Sequence, residues 1–201
     1  MGMVVGIIGS GVIGLAIAHL LLSVGIQVII CNRRGPASLA DAVEKLGPGA
    51  VAGTLQQVTK PEIIFLAVPW SSVHDVLEDL PDLEGRILID ATNPTEAPDH
   101  VEADLGGRTS SEIVAELAYG AHVVKAFNVL PAEILAAGPN LAGGRRVIFF
   151  SGDHVPAKAE VGRLIARTGF AGIDLGPLST GSRLQQFPGG PLANLALVAL
   201  G

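Results

Sequence analysis

MVVGIIGSGVIGLAIAHLLLSVG, residues 3–25, decides how the rest of the chain is read. An apolar run of strand length, Met3 to Ile8, passes through glycines into a segment where Val12, Leu15, Ala16, Leu20 and Val24 recur near helical spacing. The order is strand, turn, helix. Gly9, Gly11 and Gly14 stand in the GxGxxG spacing directly after the strand and open the helix, the context that gives this short pattern its specificity. Gly9 suits the tight turn, Gly11 the close approach of a pyrophosphate, and Gly14 the packing of helix on strand. The helix N-terminal N–H groups would then face the phosphates.

Outward from that unit the same alternation repeats. IQVII (26–30) precedes the helix SLADAVEKLG (38–47), EIIFLAV (62–68) precedes WSSVHDVLEDL, and RILID (86–90) precedes an irregular stretch and TSSEIVAELAYG. HVVKAF (122–127), RRVIFFSG, a helix near 155–168 and FAGIDLG follow. Strands that are continuously rather than alternately apolar imply a parallel sheet covered on both faces, and right-handed crossovers make it α/β and doubly wound. Residues 1–128 read as a nucleotide-binding Rossmann domain, and 129–201 as a small α/β C-terminal extension packed on the same sheet.

Composition narrows the function. Hydrophobic residues are 49% of the 201 and charged residues 16%, so most of the length must be buried. A net charge of −6 with scattered lysines and arginines offers no basic patch for nucleic acid. Cys31 is the single cysteine and the five histidines form no short-spaced pair, so neither an intrachain disulfide nor a metal site is expected. The glycine-broken N-terminus reads as neither a signal peptide nor a membrane span, and a cytoplasmic protein is expected.

The second strand ends at CNRRG (31–35), 18 residues after Gly14, near the offset where a carboxylate would hold a ribose 2′-hydroxyl. Asn32 is neutral, and Arg33 and Arg34 offer planar forks suited to a phosphate, so the site reads as built for NADP(H). The alternative is a pair of solvated arginines at a strand end. AVPW (67–70) and DATNP (90–94) end two further strands, where ligands sit in doubly wound sheets. Pro69 would start the next helix. Lys125 reads as a paired structural lysine or a ligand of an anionic group, Tyr119 as a packing position, and His122 as structural. His19, His74, His100 and His154 read as solvated.

GIIGSGVIG, NRRGPASL, LAVPW, IDATNP, LGGRTSSEIVAEL, VVKAFN and LQQFPGGPL together resemble the short bacterial members of the family of F420-dependent NADP oxidoreductases, over essentially the whole chain. The resemblance implies a homodimer that transfers hydride between NADP(H) and the deazaflavin coenzyme F420. By position it implies Gly9, Ser10, Gly11, Val12, Ile13 and Gly14 at the pyrophosphate and Asn32, Arg33 and Arg34 at the 2′-phosphate. Ala67, Val68, Pro69 and Asn93 would lie on the nicotinamide side, and Ala126, Phe127, Asn128, Gly189, Gly190 and Pro191 beside the acceptor. Asn128 stands where the best-studied type carries His, so a flavin or a small imine or carbonyl compound stays open as acceptor. A non-catalytic NADP(H)-sensing protein would share the glycine loop. The tail FPGGPLANLALVALG (187–201) reads as a helix, either docked in the core or lying at a two-fold interface, with the GGP turn presenting N–H groups to the second ring. On that last reading Gly190→Ala would spare stability.

Overall fold

Val4–Ile8, all but the first residue of the expected run, forms a strand because its alternate side chains enter two different apolar layers: Val5 and Ile7 on one side, Ile8 on the other. The structure, a computed structural model, describes residues 2–96, 101–141, 143–193 and 195–200. His100 and Asn194, the polar exception in the tail, lie outside the described residues.

Strands β1 (Val4–Ile8), β2 (Gln27–Cys31), β3 (Ala50–Ala52), β4 (Ile63–Leu66) and β5 (Ile87–Asp90) alternate with α1 (Val12–Ser23), α2 (Ala40–Leu46), α3 (Leu55–Val58) and α4 (Val73–Glu78). The strand pair β6 (Thr95–Glu96) and β7 (Val101–Glu102) precedes α5 (Ser110–Leu117) and β8 (His122–Ala126). The rest comprises α6 (Ala132–Ala136), β9 (Asn140–Leu141), β10 (Gly144–Gly152), α7 (Val155–Arg167), β11 (Ala171–Asp174), α8 (Arg183–Gln185) and β12 (Val198–Leu200). The main sheet runs β11-β10-β8-β5-β4-β1-β2-β3. Helices α1, α6 and α7 cover one face, with Ile17, Leu21, Leu135, Val161 and Ile165 against Ile7, Phe65 and Ile89. The other face carries α4 and α5, with Leu77 and Val114 against Ile64, Leu66 and Leu88. Each such side chain, fully buried, contributes about 1.5–3 kcal/mol.

From β3 to β8 the ladder is parallel, as the apolar runs predict. β10 departs from that expectation and runs antiparallel to β8, with Phe150 opposite Ala126. The chain after β8 packs α6 on α1 and re-enters the sheet from beyond the strand C-termini, so no crossover is made. Its apolar run could not reveal this, because Ile148 and Phe150 face one core while Val147 and Phe149 face another, as in a parallel strand.

The tail also departs from its expected form: Val198–Leu200 is a strand, antiparallel to Gly144–Arg146. That stretch of β10 projects past β8, and its free backbone groups need partners that a terminal helix could not supply. Tyr119 is 78% exposed and is not a packing position. His154 is not a free solvated side chain: its Nδ1 accepts from Ala157 N at 3.3 Å to cap α7, and its ring stacks on His122 at 3.5 Å.

Candidate functional site

The three glycines of the β1–α1 turn stand in different surroundings. Gly9 has φ +116°, and a Cβ there would stand 2.1 Å from the Ala67 carbonyl oxygen. A Cβ on Gly14 would stand 2.1 Å from the Gly9 carbonyl oxygen. Both are fixed by the protein itself. Gly11 is in extended backbone, φ −74°, and a Cβ there would meet nothing within 4 Å. Neither conformation nor a protein neighbour demands glycine at 11. The open space beside it belongs to a cavity of about 610 Å³, floored by Ile8 and Gly9 and walled by Cys31, Asn32, Leu55, Val68 and Val76 among others.

α1 points its N-terminus at this cavity. Its N-cap is Gly11, which has no side chain to cap with, and the first bond onto the cap comes from Leu15 N. The N–H groups of Val12, Ile13 and Gly14 precede that bond and suit an anion. Val12 is 75% exposed and lies outside the cavity lining, whereas Gly14 is buried against the strand.

The second wall is built by Asn32. Its Nδ2 donates to Ser10 Oγ at 3.1 Å, while its Oδ1 accepts from Arg34 N at 2.9 Å and Ser38 Oγ at 3.1 Å. The amide thus folds the arginine loop and ties it to the glycine loop. Arg33 lines the cavity; Arg34 is exposed and lies outside the lining. Among the described residues neither guanidinium is in an ion pair. Burial pushes the Cys31 thiol up to about 11, against the smaller lowering effect of its bond with the Gly9 backbone. It is a buried apolar filler. Ala67, Val68 and Pro69 form the third side, and α4 with its C-cap adds Asp75, Glu78 and Asp79, which the sequence pattern hides because an acidic helix face ordinarily means solvent.

Asn93 and Asn128 lie outside the lining of that cavity and bond to each other. Asn93 Nδ2 donates to Asn128 O and Asn128 Nδ2 donates to Asn93 Oδ1, both at 2.9 Å. Phe187 N also reaches Asn93 Oδ1, at 3.2 Å, bringing the tail to the same point. Ala126 and Phe127 are buried in the core, where Phe127 meets Phe65 edge to face with ring centroids 5.2 Å apart. Phe127 is the described non-glycine residue with positive φ, 65°, a conformation of the strained kind that collects at functional sites. Gly189 and Pro191 are exposed. Gly190 is turned inward instead: its N–H donates to Gln186 O at 2.8 Å, and a Cβ would lie 2.5 Å from that oxygen. The expectation that its N–H faces a second ring is thereby corrected, since that donor is already used.

Beneath the pair lies a buried polar cluster. Lys125 Nζ donates to Asp90 Oδ2 at 3.0 Å and to Thr92 O at 2.5 Å, and Ser111 and Thr92 hydroxyls supply Asp90 with two more bonds. Both charged side chains are fully buried. Burial lowers the Lys125 pKa, and the neighbouring Asp90 carboxylate opposes that shift. Gln185 and Gln186, buried in the LQQFPGGPL stretch, join this cluster to Ser151 and Glu102; two adjacent glutamines in an apolar tail were the available signal.

Fold and cavity together define a doubly wound, Rossmann-like α/β protein with an open cavity at its glycine turn. The model of the family "NADP oxidoreductase coenzyme F420-dependent" matches residues 4–94. A hypothetical protein from Sinorhizobium meliloti is 44% identical with TM-score 0.92, covering 99% of this chain and 96% of its own. A protein of Arthrobacter sp. FB24, named for an F420-dependent NADP-reductase, is 26% identical with TM-score 0.73, over 88% of this chain and 86% of its own. Metalloreductase STEAP3 of Rattus norvegicus is 33% identical over 186 residues, 92% of this chain and 36% of that protein. The chain therefore spans about a third of the length of the curated relatives it matches. The likeness to the F420-dependent NADP oxidoreductases thus lies in residues 4–94, which hold the glycine turn and the arginine loop. Among the described residues no helix is long and apolar enough to cross a membrane.

Proposed function

We propose that this protein binds NADP(H) with its adenosine half in the cavity beside Gly11 and Arg33, and exchanges hydride with coenzyme F420 on the side of Asn93 and Asn128. The observation that carries the reading is Gly11, a glycine that the protein's own geometry does not require, facing open space at an uncapped helix N-terminus. A pyrophosphate fits that space and those donors. Arg33 supplies a charge-assisted fork to a 2′-phosphate, while Asn32 braces the loop that presents it.

When bound, NADPH supplies hydride at nicotinamide C4. The chain's part is to hold two rings within near-attack distance and keep water out. The buried Phe127 and the paired asparagines support that role through rigidity, and ring-to-ring transfer makes no demand for a tyrosine or lysine proton donor, consistent with an exposed Tyr119 and a buried Lys125. The family resemblance supports a homodimer.

NADPH oxidation followed with oxidised F420, FMN, FAD and a small cyclic imine tests the reading. Turnover with F420 above the other acceptors is expected. Tight NADPH binding with no turnover of any acceptor would leave a sensing protein instead, and preference for the imine would replace the acceptor.

A further inference from the structure

The two loops that the reading above assigns to the nicotinamide side leave neighbouring parallel strands in matched register. Asp90 and Lys125 are Cα partners on the last rung of the β5–β8 ladder. Three residues beyond each of these partners stand Asn93 and Asn128, and these meet in the reciprocal pair. The loops are thus tied twice, by a charged pair at the strand ends and by an amide pair beyond it.

The upper tie depends on the lower. Lys125 Nζ bonds to Thr92 O, the carbonyl just before Asn93, while Asp90 Oδ1 accepts from Thr92 N at 2.9 Å and Thr92 Oγ1 at 2.7 Å. Every polar handle on Thr92 is therefore held from below, and Asn93 has no freedom to slide along the sheet. On the other loop, the left-handed turn at Phe127 redirects the chain so that the Asn128 amide faces Asn93. Gln185 Nε2 grips Ser151 Oγ at 2.9 Å, and the Gln185 carbonyl accepts from Asn128 Nδ2 at 2.7 Å, which fixes the third side.

A buried ion pair is a poor way to gain stability, because a well-packed apolar pair of the same volume does as well or better. It is a good way to set register, because a buried ammonium tolerates only an arrangement that satisfies its donors. We infer that Lys125 is a positioning residue: acting through Asp90 and Thr92, it sets the Asn93–Asn128 pair and so the placement of the nicotinamide half of NADP(H), and not the affinity of the adenosine half. This rests on the proposed cofactor orientation.

Trp70 provides the probe. It is the single tryptophan and opens the turn between β4 and α4, beside the cavity residues Pro69 and Ser72. Energy transfer from Trp70 to reduced nicotinamide reads where that ring sits, and adenosine 2′,5′-bisphosphate reads the adenosine half alone. Lys125→Met leaves Asp90 unpaired, so the double variant Lys125→Met with Asp90→Asn, which carries no buried charge, is measured beside it and decides the matter should the single variant not fold.

In the double variant the bisphosphate affinity is expected to stay within about twofold of wild type, while energy transfer to bound NADPH drops and turnover falls on the order of tenfold or more, the scale expected of a small misplacement. Unchanged energy transfer would overturn the inference. So would a parallel loss of affinity for both ligands, which would make the pair structural only. A wild-type protein that fails to bind the bisphosphate overturns the cofactor orientation first, and this inference with it.

Discussion

Asn32 Nδ2 donates to Ser10 Oγ at 3.1 Å, so the loop at the end of β2 is tied to the glycine loop before α1. The residue that stands where a ribose-binding carboxylate would be is occupied with holding the arginines in place. For the proposed 2′-phosphate its neutrality matters as well, since a carboxylate there would repel that anion.

Arg33→Ala is expected to weaken NADPH by about 1.5–3 kcal/mol, the scale of a charge-assisted hydrogen bond, and to leave NADH nearly unchanged. Arg34→Ala should cost clearly less, because Arg34 lies outside the cavity lining. Calorimetric titration of both cofactors into both variants checks this. Equal affinities of the wild type for NADPH and NADH would remove the basis of the assignment.

Gly11→Val and Gly14→Ala should fail in opposite ways. At 11 the new side chain enters empty space, so the protein should melt near the wild-type temperature and lose NADPH. At 14 the added methyl meets the Gly9 carbonyl oxygen, and a cost of at least about 1–3 kcal/mol of stability is expected from overpacking. Thermal melts with and without NADPH separate the two; retained NADPH binding in a folded Gly11→Val protein would make that loop purely structural.

Gly190→Ala should lower thermal stability, since its Cβ would stand within 2.5–2.8 Å of the carbonyl oxygens of Gln186, Leu184 and Arg183. A melt equal to wild type would show that the turn yields, and would return this glycine to the acceptor side.

The His122–His154 stack makes a pH prediction. Burial first, and then the charge of His154, lower the His122 pKa in the folded state below its unfolded value. The unfolded chain therefore binds the proton more readily, so this contribution is complete above the unfolded pKa and is lost as the pH falls through the folded one. Melting temperature should decline on the acid side of the ordinary imidazole range, and His122→Phe, which keeps the stack without the charge, should flatten that slope. Identical pH profiles for the two proteins would count against it.

Cys31 should resist alkylation at neutral pH in the native protein, because its thiol is buried and its pKa is raised to about 11. Iodoacetamide labelling that proceeds as fast as in the unfolded chain would contradict the buried, protonated assignment.

The sequence by itself determined the alternation of strands and helices, the glycine turn and the neutral, arginine-bearing end of β2. These are local matters: periodicity follows from which faces each segment must bury, and the glycine spacing from one turn's own geometry. Tertiary structure alone decided the rest. The reversal of β10 turned on the end from which the chain re-enters the sheet, and the strand at Val198–Leu200 on which backbone edge stood unpaired, both properties of the assembled sheet. Whether Gly11 or Gly190 faces ligand space or protein turned on what other segments place within a few ångströms, which glycine's identity does not encode. The meeting of Asn93 with Asn128, 35 residues apart, followed from the parallel register of β5 and β8. Hydrogen bonds over such separations are set by how strands stack, and no local pattern in the chain records them.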